Sequence, residues 1–170
     1  AEIFSQCKIF SVSSSFDPNY IFGPEGRGDT TIRWVPASRS MSYTIQFEND
    51  SLLATASAQR VVIEQNLHPN VDPLSFRIQQ VAFNNMIFGL PEMVNYTGIL
   101  DLDDSLNYDV QVTAGLDIAN LKIFCILQTI NPNTGLPPNS TEGLLPINDS
   151  IGSGEGSFSY LISPKATVQT

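Results

Sequence analysis

Charged residues are scarce in this sequence. They make up 15% of its 170 residues, and the eight Lys and Arg are outnumbered by 17 Asp and Glu, which gives a net charge of −9 at pH 7. The basic residues are scattered singly, so there is no basic patch, and the negative charge repels polyanions; nucleic acid is therefore not an expected partner. Asn, Ser and Thr supply the polar surface instead, a balance that suits a secreted or surface-exposed protein.

Long apolar runs and helical periodicity are also missing. No apolar run approaches the roughly 20 residues of a membrane-spanning helix, and no window carries a sustained helical stripe. Ala1 and Glu2 lead directly into alternating polar and apolar residues rather than into a signal peptide. We therefore expect a mature or excised segment of a longer extracellular protein, without a membrane span.

Histidine and cysteine are too rare for most catalytic or metal centres. His68 is the single histidine, and it precedes Pro69 in a turn-like stretch that lacks the context of a hydrolase nucleophile, so its expected role is structural. Cys7 and Cys125 are compatible with one disulfide or with two buried free thiols. The sequence predicts no enzyme and no cofactor, apart from the calcium ion considered below.

What the sequence does have is alternation with a period of two. It runs through residues 41–47 and returns in residues 108–114, 123–127 and 158–162, with Leu74, Phe76 and Ile78 between them. Turn signals recur about every eight to twelve residues, which predicts an all-β sandwich with long loops. The predicted core comprises the in-phase residues Tyr43, Ile45, Phe47, Val61, Ile63, Phe76, Val110, Val112, Ile123, Leu127, Phe158 and Tyr160.

The sequence also predicts two surface loops and the position of one strand within its sheet. Residues 49–57 are small and polar and predict a surface loop between the first two core strands. Residues 17–33 are rich in Gly and Pro and predict a long ordered loop, anchored by Tyr20, Phe22 and Trp34. The stretch around Cys125 is apolar on both faces, which predicts a central strand with Cys125 buried.

Several motifs resemble a known family. They are DPN at residues 17–19, GP at 23–24, YTIQFEN at 43–49, AQRVVI at 58–63, DPLSF at 72–76, GLLP at 143–146, GEG at 154–156 and SPK at 163–165. Together they resemble the repeat domain of large bacterial surface proteins, which is related to DUF11-like conserved repeat modules. The resemblance implies an immunoglobulin-like antiparallel β-sandwich that serves as a spacer or surface display rather than as a catalyst.

The same resemblance bears on domain boundaries. Residues 17–170 correspond to the sandwich module, but the family pattern continues beyond the SPK motif into a final strand that is not found before Thr170. Residues 1–16 predict a strand and linker, either at the edge of an upstream module or exchanged between subunits. Two explanations stay open: the strand pairs within its own chain, or it completes the sheet of a neighbour.

The densest acidic cluster is a candidate calcium site. Asp101 and Asp103 alternate, so their carboxylates point the same way along a strand, and Asp104 would close the site from the loop. The glycine and the terminal glutamate of an EF-hand loop are absent. The competing interpretation is a solvated strand end.

Adhesion and glycosylation motifs are also present. Arg27, Gly28 and Asp29 form the tripeptide that integrins bind, in a Gly-rich stretch, although a tripeptide also arises by chance. The four Asn-x-Ser/Thr sequons lie at Asn49, Asn95, Asn139 and Asn148. The two at positions 49 and 139 lie in predicted loops and are the better expected acceptors.

The sequence as a whole predicts a non-catalytic, extracellular structural or adhesive module of a larger surface or filament-forming protein. Its expected partners are neighbouring modules of the same chain or identical subunits, with a cell-surface receptor or glycan as a further partner. The alternative function is a calcium-dependent ligand- or carbohydrate-binding module, or integrin-type adhesion through the loop that begins at Arg27.

Overall fold

A computed structural model describes residues 20–28, 33–35, 39–102, 106–139 and 142–165. The predictions for the strand at residues 1–16, for Cys7, for Asp29 and for Asp103 and Asp104 lie outside the described residues. The strands are β1 (Tyr20–Phe22), β2 (Arg27–Gly28), β3 (Arg33–Trp34), β4 (Met41–Glu48), β5 (Arg60–Asn66), β6 (Val71–Phe83), β7 (Met86–Gly89), β8 (Asn95–Leu100), β9 (Asp109–Asp117), β10 (Lys122–Ile130) and β11 (Glu155–Pro164).

The strands form two antiparallel sheets that face each other. The first has five strands in the order β1-β4-β11-β6-β7, and the second has four in the order β5-β10-β9-β8, while β2 and β3 form a separate two-stranded ribbon. The inner faces of both sheets contribute to one buried apolar cluster. The predicted all-β sandwich is therefore confirmed, and its immunoglobulin-like character stays a prediction.

The core is the one that the alternation predicts. Of the twelve predicted core residues, eleven are buried. The exception, Tyr43, is half-buried and stacks on Tyr160 with the ring centroids 5.5 Å apart. Tyr160 also ties the two sheets together, because its hydroxyl donates a 2.7 Å hydrogen bond to Oε1 of Gln65 on β5. β10 lies inside its sheet and Cys125 is buried, as predicted.

β6 departs from strict alternation in two places. Ser159 pairs with Gln80 and Tyr160 with Ile78, so Gln79 is an extra residue that shifts the buried positions onto the other parity. Nearer its start, Leu161 pairs with Arg77 and Ser163 with Asp72, and residues 73–76 bulge between these pairs. Leu74, which alternates with Phe76 and Ile78 in the sequence, therefore does not share their burial: its side chain is 67% exposed.

The predicted loop over residues 17–33 contains a strand. Tyr20, Ile21 and Phe22 pair with β4 and extend the first sheet by one short edge strand. The prediction that Tyr20 and Phe22 anchor a loop is wrong, because their side chains are 63% and 49% exposed. They lie on a sheet surface instead, and Trp34 pairs with Arg27 in the separate ribbon.

Candidate binding site

The outer face of the five-stranded sheet is built from rows of cross-strand neighbours. Residues directly opposite each other in an antiparallel sheet point to the same side. One row across all five strands consists of Tyr20, Gln46, Ser157, Ala82 and Ile87. The next row consists of Phe22, Thr44, Ser159, Gln80 and Gly89.

The first of these rows lines a depression that we call the outer trough. Its middle carries small side chains, such as those of Ser157 and Ala82, whereas Tyr20 on β1 and Ile87 on β7 stand at its two sides. The volume of the trough is about 600 Å³. Ser159 in the neighbouring row is buried, and its hydroxyl lies 2.9 Å from the hydroxyl of Thr44, so a side-chain hydrogen bond joins β11 to β4 beside the trough.

One end of the trough carries two carboxylates. Glu48 and Glu155 are cross-strand partners and both line the trough. The amide nitrogen of Asn148 donates to Glu48 at 2.7 Å and lies 3.5 Å from Glu155. Asn148 thereby joins the end of β4 to the loop that precedes β11, and it positions both carboxylates as hydrogen-bond acceptors.

The loop that precedes β11 is held by its own polar groups. The carboxylate of Asp149 accepts hydrogen bonds from the backbone amides of Ser153 at 3.1 Å and Ile151 at 3.0 Å. The bond from Ser153 is the main cause that lowers the pKa of this carboxyl. The loop therefore closes one end of the trough as an ordered turn.

A second opening lies between the sheets beside β1 and β5, which are edge strands among the strands that the structure describes. It has a volume of about 450 Å³. Ile21 and Val62, which line it, are 45% and 44% exposed, and Ile45 and Ile63 form its buried side. We call this opening the edge cleft.

The predicted calcium site is described only at Asp101, an exposed residue just after β8. In the described ranges, no three His, Cys, Asp or Glu side chains come together as a metal-binding group. Asp109, another member of the acidic cluster, accepts a 3.0 Å hydrogen bond from the backbone of Leu102 and so shapes the turn. Because Asp103 and Asp104 lie outside the described residues, the calcium site stays a prediction.

The four sequon asparagines differ in their exposure to solvent. Asn49 is 1% exposed, and its amide nitrogen donates to the carbonyls of Ala56 at 2.9 Å and Leu145 at 3.2 Å. The prediction that Asn49 is a good glycan acceptor is wrong, because a glycan would have to leave from a buried nitrogen that already donates twice. Asn148 is half-buried and engaged with Glu48. Asn95 and Asn139 are exposed and stay predicted acceptors.

The remaining predicted residues are not brought together. Cys125 is a free and fully buried thiol, and burial raises its pKa to about 12, so it is an inert core residue; its bridge to Cys7 is not tested. Arg27 and Gly28 lie in β2, while Asp29 is outside the described residues. Nδ1 of His68 accepts a 3.2 Å hydrogen bond from the backbone of Asn70, which is a local turn contact.

Fold and surface together define a β-sandwich domain with a polar trough on one sheet and an apolar cleft at one side. Comparison with protein-family models, with curated proteins and with solved structures finds no match. Within the described part of the chain, no helix has the length and apolar character needed to cross a membrane.

Proposed function

We propose that the chain is a non-catalytic structural and adhesive module of a larger extracellular surface or filament-forming protein, and that it associates with further copies of the same module. The observation that carries this proposal is the edge cleft. Edge strands present backbone hydrogen-bonding groups that can pair with another chain. Here two of them, β1 and β5, lie beside an apolar opening.

The edge cleft suits an added strand. Its exposed apolar side chains, Ile21 and Val62, mark the kind of surface that soluble proteins use for association. β5 has seven residues, a usual strand length, along which main-chain hydrogen bonds would form. The occupant that we propose is the segment of residues 3–12 from another copy, since either face of a strand with this sequence would carry apolar side chains: Ile3, Cys7 and Ile9 on one, Phe4, Phe10 and Val12 on the other.

Association between chains would also set the form of the assembly. Contact between one end of a copy and the side of the next is heterologous and open, which produces filaments rather than rings. The low charge content and the resemblance to surface-protein repeats support the extracellular setting.

The test compares two lysine substitutions on opposite edges of the four-stranded sheet. Val62→Lys places a charge beside the edge cleft, and Ile99→Lys places the same charge on β8, where Ile99 is 57% exposed. Sedimentation velocity over a concentration series measures self-association of each protein. We expect Val62→Lys to weaken it about tenfold or more, a loss of about 1.4 kcal/mol, and Ile99→Lys to leave it unchanged.

Circular dichroism provides the control that both variants remain folded. A wild-type protein that stays monomeric at every accessible concentration would contradict the proposed association. Equal weakening by both substitutions would show that the edge cleft is not the contact.

A further inference from the structure

We propose that the outer trough binds a neutral oligosaccharide. This inference is independent of the edge cleft, because the two surfaces lie on different parts of the sandwich and share only Tyr20. The trough volume of about 600 Å³ falls in the range of about 300–1,000 Å³ that is usual for ligand pockets.

An exposed aromatic ring, that of Tyr20, stands at one side of the trough, and the ring of Phe22 packs beside it. Tyr20 is 63% and Phe22 is 49% exposed, and their ring centroids are 4.6 Å apart. Exposed aromatic faces combine a large apolar surface with a polar tip in the case of tyrosine. A pyranose ring matches them, because one of its faces carries C–H groups while its rim carries hydroxyls.

The polar groups of the trough match those hydroxyls. Gln46 offers both a donor and an acceptor, Ser157 offers a hydroxyl, and Glu48 and Glu155 offer acceptors at the closed end. The trough lining includes two carboxylates and, among the described residues, no Lys or Arg. Uronic-acid and sulfated sugars would be repelled, so the ligand class is a neutral saccharide.

The trough floor disfavours a peptide strand. β4, β11 and β6 each have hydrogen-bonded strands on both sides, so their backbone groups are used within the sheet. A peptide that binds by strand addition needs main-chain partners, which the floor cannot supply. A saccharide needs side-chain partners alone, and those are what the floor presents.

The experiment follows amide chemical shifts of the 170-residue protein during titration with cellotetraose, xylotetraose, mannotetraose and chitotetraose, each in the presence of EDTA. We expect at least one of the four to shift amides of β4, β11 and β6 and to bind without calcium. Ser157→Tyr fills the trough, and Tyr20→Ala removes the stacking ring. Each should weaken binding about tenfold or more, the factor that corresponds to about 1.4 kcal/mol.

The matched control is Thr113→Tyr, which adds the same ring to the outer face of the other sheet, where Thr113 pairs with Ile126. It should leave binding unchanged, and Ser157→Tyr should leave self-association unchanged, since Ser157 does not line the edge cleft. Absence of binding to all four sugars, or binding that survives Ser157→Tyr, would overturn the inference. So would binding of a synthetic peptide of residues 1–12 that Ser157→Tyr abolishes, because the trough would then be a peptide site.

Discussion

The outer face of the five-stranded sheet has small side chains in its middle, such as Ser157 and Ala82, with Tyr20 at its edge. On the four-stranded sheet the arrangement is reversed, because Phe124 and Ile126 occupy the middle strand β10. The first face is therefore a trough and the second a ridge. The difference comes from the size of the side chains that the inner strands place on each outer face.

The ridge shows how a single position sets the shape of a face. Phe124 is the direct cross-strand partner of Gly115 on β9, and a Cβ built on Gly115 would lie 3.1 Å from the Phe124 ring and still closer to the side chain of Asn95. The missing side chain gives the ring room to lie over the neighbouring strand. In the trough, Ser157 pairs with Gln46 on one side and Ala82 on the other, and all three side chains line the trough.

The largest effect that we predict lies beneath the two faces. Phe158 supports the trough from the inner side of β11, and Leu127 supports the ridge from β10; both are fully buried. Phe158→Ala should lower the free energy of unfolding by about 3–5 kcal/mol and Leu127→Ala by about 2–5 kcal/mol. Urea unfolding should show one shared transition in each variant, because both sheets contribute to one core.

Leu74→Ala is the control for these truncations, since an exposed side chain should change stability by less than about 0.5 kcal/mol. Two separate unfolding transitions in either core variant would show that the trough and the ridge belong to independently stable units.

The next effect concerns the buried amide of Asn49, which follows β4. Asn49→Asp replaces a double donor with a carboxylate that faces the carbonyls of Ala56 and Leu145, at a cost of about 1–3 kcal/mol. The cost should shrink at low pH, where the protonated acid can donate to one carbonyl. Urea unfolding at pH 4 and pH 7 measures the difference. A variant as stable as the wild type at pH 7 would contradict the buried double-donor role of Asn49.

The last prediction is a loss of stability in alkali. Burial raises the pKa of the Cys125 thiol from 9.0 to about 12, and burial also raises the pKa of the Tyr160 phenol above 10.0. The unfolded chain loses these protons first, so stability is complete below pH 9 and falls as the pH rises towards the folded-state values. The slope should approach about 1.4 kcal/mol per pH unit for each group.

Cys125→Ala separates the two groups. The substitution should remove the loss of stability that begins near pH 9 and leave the later loss that is due to Tyr160. Urea midpoints between pH 8 and pH 11 measure both. An unchanged profile in this variant would show that the thiol is not shielded as the structure indicates.

The inner faces were predictable from the sequence because alternation is a local property. Val112 and Phe158 are buried, as the alternation of apolar and polar residues next to them in the chain predicts. Asn49 was not predictable, since its stretch resembles a surface loop and its burial depends on Leu145, which is far away in sequence. The trough was missed for the same reason: Gln46 and Ser157 become neighbours through pairing that no local pattern specifies.

The position of β11 has a consequence for how the chain folds. β11 lies between β4 and β6, and Glu155 pairs with Glu48 across most of the sequence. Until this strand has been synthesised, β4 and β6 lack the neighbour that joins them, and their open edges are available to other nascent chains. Such distant pairing slows folding, because the long intervening segment must lose conformational entropy before the stabilising contacts between the strands can form. We therefore expect aggregation during expression to depend on how quickly β11 follows the rest of the chain out of the ribosome.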